Sequence, residues 1–239
     1  MSVRSRLAVS AVAGLLPLIA GCGVLDDLVD DPGGSVTAGP SGGSVVSEDF
    51  SEYMPFTVAV DADELGAQIE ALAVAEEVDE GYDRDLFAHW RDADGDGCDA
   101  RDEVLVFEDR SGELSAEDCG DSMTGRWVSM YDGEEVTDSS DLDIDHFVPL
   151  KEAWVSGARD WPAAEREAYA NSLDQPWHLV AVTASTNRSK SDQDPAEWMP
   201  PLEEVHCAYV WAWVQVKTDW GLTVDQAEAD ALAEFTQAC

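Results

Sequence analysis

Positive charge is scarce in this chain: 13 Lys and Arg residues stand against 51 Asp and Glu, for a formal net charge of −38 over 239 residues. Such a chain repels polyanions, which at first sight argues against nucleic acid as a partner. The five cysteines include no CxxC pair, so a zinc site built from four cysteines is disfavoured. Hydrophobic residues nevertheless make up 45% of the chain and aromatic residues 8%, which excludes global disorder and allows a packed core.

The N-terminal residues have the pattern of an export signal. Arg4 and Arg6 precede an apolar run over residues 7–20 that is too short for a membrane-spanning helix. The run ends Leu-Ile-Ala-Gly-Cys, which resembles the lipobox of bacterial lipoproteins and implies that Cys22 is lipidated. We therefore predict a lipoprotein signal peptide over residues 1–21 and a lipid-anchored location at the extracellular face of the cytoplasmic membrane. An ordinary secretory signal, and thus a released protein, is the alternative.

A low-complexity segment separates this signal from the rest of the chain. Residues 22–48 are rich in Gly, Ser, Pro and Asp and show no sustained apolar period, so we predict a flexible acidic tether. Residues 49–239 form the predicted folded domain. Outside the cytoplasm its four cysteines are expected to be oxidised, and three pairings are possible. Proximity in sequence favours two disulfides, Cys98–Cys119 and Cys207–Cys239.

Residues 92–103 fit the twelve-residue calcium-loop pattern. Oxygen ligands at its positions 1, 3, 5 and 12 suit a hard cation, and a glycine at position 6 allows the sharp turn. The flanks fit less well: residues 81–90 favour a helix but residues 104–107 favour a strand, so a helix–loop–helix pair is not expected. An acidic turn braced by a disulfide is the alternative. The candidate calcium ligands are Asp92, Asp94, Asp96, Cys98 and Glu103.

A strand–strand–helix unit is predicted over residues 141–192. Residues 141–149 alternate like a strand and include the polar pair Asp145–His146. Residues 177–182 predict a second strand, and the polar run that follows opens as a short helix. The order is therefore ββα.

The polar residues of this unit belong to a recognisable kind of chemistry. A histidine beside a carboxylate can serve as general base, because its unperturbed pKa lies near neutral pH. The carboxylate of Asp145 and the side-chain amide oxygen of Asn187 are ligand types that suit Mg²⁺. Arg188 and Lys190 add phosphate-binding charge on the helix. Base, hard metal and phosphate-binding cations together predict one-metal phosphodiester hydrolysis.

Residues 143–149 and 187–192 together resemble the HNH, or His-Me finger, nuclease superfamily. This pair of motifs looks like the C-terminal nuclease domain of modification-dependent restriction enzymes. A wider pattern over residues 81–87, 92–103, 142–161 and 187–201 is similar to exported HNH-family proteins of actinobacteria. The resemblance implies that His146 activates the attacking water and that Asp145 and Asn187 hold a divalent metal, Mg²⁺ or Mn²⁺. His178 occupies the position where the family usually has an asparagine that orients the base. Lys190 matches a lysine of the motif, and we expect it to contact phosphate.

The predicted fold class is α+β: a single domain with a ββα-metal (His-Me finger) core, flanking helices and two disulfides. We expect the flanking helices over residues 63–77, 202–217 and 224–236, the second of them buried. The sequence thus favours a secreted, lipid-anchored, metal-dependent endonuclease that hydrolyses DNA, with RNA as the other substrate to consider. The alternative is a calcium-binding surface lipoprotein on an inactive HNH-derived scaffold.

The acidity is uneven along the chain. Residues 146–220 contain six basic and eleven acidic residues, whereas residues 23–145 contain five basic and 36 acidic residues. The proposed site therefore repels nucleic acid less than the whole chain does. We expect DNA to be a weakly held substrate, the membrane to be contacted through the lipid anchor only, and no protein partner.

Overall fold

The computed structural model describes residues 54–56, 58–120, 122–237 and 239. All of these residues belong to one compact unit of mixed helix and small sheets, as the predicted α+β class requires. The predicted signal peptide, Cys22 and the tether lie outside the described residues. In the described residues, no helix combines the length and the apolar character needed to cross a bilayer.

Seven α-helices and four strands are formed by the described residues. The helices are α1 (Ala62–Ala71), α2 (Ala100–Glu108), α3 (Leu150–Val155), α4 (Ala163–Ala170), α5 (Ala184–Lys190), α6 (His206–Asp219) and α7 (Gln226–Thr236). The strands are β1 (Thr124–Val128), β2 (Glu135–Asp138), β3 (Leu142–His146) and β4 (Leu179–Thr183).

The strands form two antiparallel pairs. β1 and β2 make a short hairpin, and β3 pairs with β4 along five residues, from Leu142 opposite Thr183 to His146 opposite Leu179. Helix α5 follows β4 without an intervening loop. The predicted order of strand, strand and helix is therefore present, and β3 and α5 bring their polar residues to one side of the unit. That the unit holds a metal stays a prediction.

Two hydrophobic clusters support this unit. The larger one contains most of α3 and α6 together with one face of β4. The smaller one packs α2 against the other face of the β3–β4 pair, and there Trp127 donates a hydrogen bond from Nε1 to the carbonyl oxygen of Leu105, at 2.8 Å. β4 is buried on both faces, which explains its continuous apolar sequence.

The helices predicted around the unit are present with shifted ends. α1 ends at Ala71, well before the predicted residue 77, and α6 begins only at His206 because the preceding residues form a single 3₁₀ turn. α6 is apolar on nearly all sides and is buried, as expected. The carboxylate of Asp225 caps α7 by accepting a hydrogen bond from the Glu228 backbone N–H at 2.7 Å.

The region around the predicted calcium loop differs from expectation on both sides. Residues 104–107 were expected as a strand but belong to α2, because Asp99 caps the helix by accepting from the N–H groups of Arg101 and Asp102. Residues 81–90, expected to be helical, contain only the 3₁₀ turn Arg84–Leu86. In both cases local propensity predicts the wrong secondary structure, because a helix cap and tertiary packing outweigh it.

Both expected disulfides are present. Cys98–Cys119 ties the acidic loop before α2 to the segment that leads into β1, and Cys207–Cys239 ties the first turn of α6 to the end of the chain. Two of the three possible pairings are thereby excluded.

Candidate active site

A cleft of about 410 Å³ opens between the end of β3 and the second half of α5. The last two residues of β3, the middle of α5 and the start of α3 form most of its wall. A segment far upstream in the sequence contributes the rest. The polar and charged residues of the wall include Tyr82, Arg84, Asp145, His146, Lys151, Asn187, Arg188 and Asp192.

His146 is held in one tautomer by the end of a helix. Its Nε2 lies 2.9 Å from the carbonyl oxygen of Ala170, the last residue of α4. A carbonyl only accepts, so Nε2 carries the proton of the neutral ring and Nδ1 keeps its lone pair. Burial lowers the pKa of His146 from 6.5 to about 3, so the ring is neutral at physiological pH. The Tyr169 ring stacks on it at 6.3 Å, and the Trp90 ring lies at 5.8 Å.

His178 bonds the backbone carbonyl that directly precedes the one bonded by His146. Its Nε2 donates to the carbonyl oxygen of Tyr169 at 3.0 Å, and burial lowers its pKa to about 4. No hydrogen bond joins the His146 and His178 rings in the described part of the chain, so any orienting effect passes through the end of α4. Both rings thereby satisfy carbonyls at a helix C-terminus, where intrahelical partners are lacking.

Asp145 lies in a buried polar group rather than alone in the cleft. Its Oδ2 accepts from the Tyr131 hydroxyl at 2.7 Å and from Lys190 Nζ at 2.6 Å. Burial raises the pKa of Asp145, and the charge of Lys190 opposes that change. The other carboxylate oxygen, Oδ1, has no such partner in the described residues.

Lys190 is not where a phosphate contact requires it. Its side chain is fully buried, Nζ bonds Asp145 and, at 3.2 Å, the carbonyl oxygen of His146, and the Tyr131 ring lies 5.9 Å away. In this conformation the ammonium group cannot reach a substrate in the cleft. Lys190 instead contacts Asp145 and the end of β3.

Asn187 faces a second carboxylate that the sequence analysis did not select. Its Nδ2 donates to Oδ2 of Asp143 at 3.2 Å, which leaves the amide oxygen available to a ligand. Asp143 lies two residues before Asp145 on β3, hence on the same face of the strand. Alternation along β3 was the signal that could have identified it. The carboxylates of Asp143 and Asp145 and the amide oxygen of Asn187 are hard donors, and they fit a Mg²⁺ or Mn²⁺ ion chemically.

The cations of the cleft come from three elements. Arg188, expected from the motif, is exposed on α5. Lys151 of α3 pairs with Asp192 at 2.8 Å. Arg84, from the upstream 3₁₀ turn, lies in the stretch 81–87 of the wider resemblance. No role was predicted for it, because nothing in that stretch relates it to a residue more than 60 positions away.

The predicted calcium ligands gather partly. One carboxylate oxygen from each of Asp92, Asp94 and Asp96 lies within 4.8 Å of the other two, and all three residues are exposed. Burial, followed by the charges of Asp94 and Asp96, raises the pKa of Glu103, but its carboxylate is not part of this group. The same carboxylates accept hydrogen bonds from backbone N–H groups of the loop. For example, Asp96 Oδ1 accepts from the Cys98 N–H at 2.8 Å. Calcium binding here stays a prediction.

Comparison with known proteins assigns the family. Residues 107–235 match the family described as GmrSD restriction endonucleases, C-terminal domain. The chain belongs to this family. It is also 41% identical over 160 residues to a protein of Arthroderma benhamiae described as an uncharacterized secreted protein, covering 67% of this chain and 76% of that protein. No solved structure matches the chain.

The GmrSD C-terminal domain match includes most, but not all, of the residues that line the cleft. It begins at residue 107, near the end of α2, and runs into α7. It therefore includes the β3–β4–α5 unit, with His146 and Asn187. Residues 81–91, which complete the cleft, and the acidic loop 92–103 lie outside the match.

Proposed function

We propose that this GmrSD-type domain is a metal-dependent endonuclease that hydrolyses phosphodiester bonds of DNA. The observation that supports this most is the state of His146, which lines the cleft as a neutral ring: its Nε2 is bonded to the Ala170 carbonyl, and its Nδ1 has no hydrogen-bond partner among the described residues. Oxygen ligands for a divalent cation lie in the same unit. We further propose that the protein is exported and anchored through lipidated Cys22, in keeping with a relative described as secreted.

In the proposed reaction, Nδ1 of His146 takes a proton from the water that attacks phosphorus. The P–O3′ ester bond breaks as the new P–O bond forms, and the leaving 3′ oxygen takes a proton from solvent water. The carbonyl of Ala170 stabilises the resulting imidazolium through the hydrogen bond from Nε2, which strengthens when the ring becomes charged. Asp145 and Asn187 would hold the divalent cation, with Asp143 beside them. When bound, that cation supplies stabilisation of the negative charge that develops on the phosphate.

His178 and Lys190 serve this arrangement as positioning residues. His178 bonds the carbonyl next to the one that fixes His146. Lys190 bonds both Asp145 and the His146 carbonyl oxygen, and so joins the metal ligand to the base. Neither side chain needs to touch the substrate for its loss to lower activity.

Incubation of the purified protein with supercoiled plasmid tests this proposal. We expect cleavage with Mg²⁺ or Mn²⁺, none with EDTA, and a loss of about 100-fold or more in His146→Ala, which is typical when a general base is removed. His206→Ala is the matched control, because His206 bonds the Pro200 carbonyl away from the cleft. No cleavage by the wild type, or equal cleavage by His146→Ala, contradicts the proposal.

The alternative function is a calcium-binding surface protein on an inactive scaffold of the same fold. The observation in its favour is the group of three exposed carboxylates in the loop 92–103. The two functions separate on the same preparation. Absence of cleavage in every metal, together with Ca²⁺ binding in calorimetry that Asp94→Asn abolishes, would favour the alternative.

A further inference from the structure

Residues 81–91 form one wall of the cleft although they lie outside the family match. Tyr82 and Arg84 face the same cleft as His146, and Trp90 packs against the His146 ring. Trp90 also has a φ of +57°, an uncommon backbone conformation for a residue with a bulky side chain. This segment is therefore part of the site in space, although not part of the family domain.

The segment is fixed firmly to the helices behind it. Phe87 is fully buried, with its ring 6.4 Å from that of Trp154 and 6.2 Å from that of Tyr169.

Side chains behind the segment also bond its backbone. Arg166 of α4 donates to the Leu86 carbonyl at 3.2 Å. Asn171 donates to the Ala88 carbonyl at 2.7 Å and accepts from the Arg91 N–H at 2.8 Å. The backbone of this turn is therefore preorganised, and its side chains need no backbone rearrangement to bind a ligand.

Most cations of the protein are already engaged. Beyond Arg4 and Arg6 the chain has eleven Lys and Arg residues. Two are the buried lysines Lys190 and Lys217. Three donate to backbone carbonyls: Arg101, Arg110 and Arg166. Four face a carboxylate: Arg91, Arg126, Lys151 and Arg159.

The two that remain are Arg84 and Arg188. Both are exposed, and neither forms an ion pair or a side-chain hydrogen bond with the residues that the structure describes. Both line the cleft. Arg84 does so from the upstream 3₁₀ turn and Arg188 from α5. In a chain with a net charge of −38, two unpaired guanidinium groups at one cleft mark the place where an anion is accepted.

We propose that Arg84, together with Arg188, binds phosphates of the DNA backbone next to the bond that is cut, so that residues 81–91 form part of the substrate site. This inference rests on the proposed nuclease function. A guanidinium group suits the task because its planar donors match two phosphate oxygens at once. Contacts to phosphate carry no base information, so they bind DNA without regard to sequence.

Fluorescence anisotropy tests this with a labelled duplex oligonucleotide and the full-length protein carrying His146→Ala, in Mg²⁺ over a series of salt concentrations. We expect Arg84→Gln and Arg188→Gln each to weaken binding about fivefold at low salt. Each should also reduce the slope of log affinity against log salt by about 0.9, the value for one phosphate contact on duplex DNA. Arg126→Gln is the matched control, since Arg126 is an exposed arginine on β1 that pairs with Glu135.

The outcomes separate this inference from the proposed function. If the parent binds DNA and the wild type cleaves it, but Arg84→Gln changes neither affinity nor salt slope, then the role of Arg84 is wrong and the nuclease proposal stands. If Arg126→Gln has the same effect as Arg84→Gln, the attraction is general and the assigned site is wrong. If the parent binds no DNA at all, both the role of Arg84 and the nuclease proposal are wrong. Circular dichroism of each variant shows that the fold is retained.

Discussion

The two buried lysines of this protein have different surroundings. Lys217, at the end of α6, donates from Nζ to Glu152 at 2.5 Å, to Glu228 at 3.1 Å, and to Ser156 and the Thr223 carbonyl. Lys190, behind the cleft, reaches one carboxylate, that of Asp145, and one backbone carbonyl. Both side chains are fully buried.

The difference shows in their pKa values. Burial lowers the pKa of Lys217, but the charges of Glu228 and Glu152 together outweigh burial, so the pKa lies above its ordinary value. For Lys190 burial prevails over the charge of Asp145, and the pKa lies below its ordinary value. None of the acceptors around Lys217 lines the cleft. Lys190 shares its single carboxylate with the cleft, which is the arrangement expected for a residue that positions a ligand.

The largest effect should follow from Lys217→Met. This change leaves Glu152 and Glu228 buried side by side without a cation, and we expect a loss of about 3–5 kcal/mol in the free energy of unfolding. Urea denaturation measures it. Lys151→Met, which removes an exposed pair with Asp192, should cost less than about 1 kcal/mol. Equal losses in the two variants would show that the Lys217 centre does not stabilise the fold as described.

A smaller loss of stability is expected for Lys190→Met, about 2 kcal/mol, because Tyr131 still donates to Asp145 and the carboxylate borders the cleft. Cleavage of plasmid should fall at least about tenfold, with a higher Mg²⁺ concentration needed for half-maximal rate, since Asp145 loses its orientation. The Mg²⁺ titration distinguishes positioning from a general weakening of the fold. A variant with unchanged Mg²⁺ dependence would contradict the role given to Lys190.

A buried carboxyl group without a lysine extends the comparison. Glu108 is buried at the end of α2 and accepts from the Ala181 N–H of β4 at 3.1 Å. Burial raises its pKa from 4.5 to about 8. Between these values the folded state holds a proton that the unfolded chain releases, so stability from this group falls as pH rises from 4.5 to 8.

Glu108→Gln should remove that pH dependence while keeping the hydrogen bond to Ala181. We expect the variant to lose less stability than the wild type between pH 5 and pH 8, by on the order of 2 kcal/mol. Urea denaturation at both pH values measures the difference. A parallel loss in the two proteins would mean that Glu108 does not hold a proton in the folded state.

The sequence was informative where a local pattern determines structure. Alternation along β3, an apolar strand before α5 and the spacing of the cysteines predicted the ββα order and both disulfides. It was not informative where contacts are distant in the chain. Tyr131 carries no local sign of its contact with Asp145. Arg84 lies in the stretch 81–87 of the wider resemblance, but nothing in that stretch shows that it borders the cleft. The strand expected over residues 104–107 was wrong because the Asp99 cap starts a helix, which propensity alone does not show.

The last turn of α4 has a consequence for how this fold can vary. Two successive carbonyls, those of Tyr169 and Ala170, receive His178 and His146. Successive carbonyl groups of a helix lie about 100° apart around its axis, so one added or deleted residue in this turn would move the carbonyl now facing His146 to another side of the helix. The loop from α4 to β4 can change in length without this penalty. Relatives that keep the two histidines should therefore tolerate insertions after the helix and almost none within its final turn.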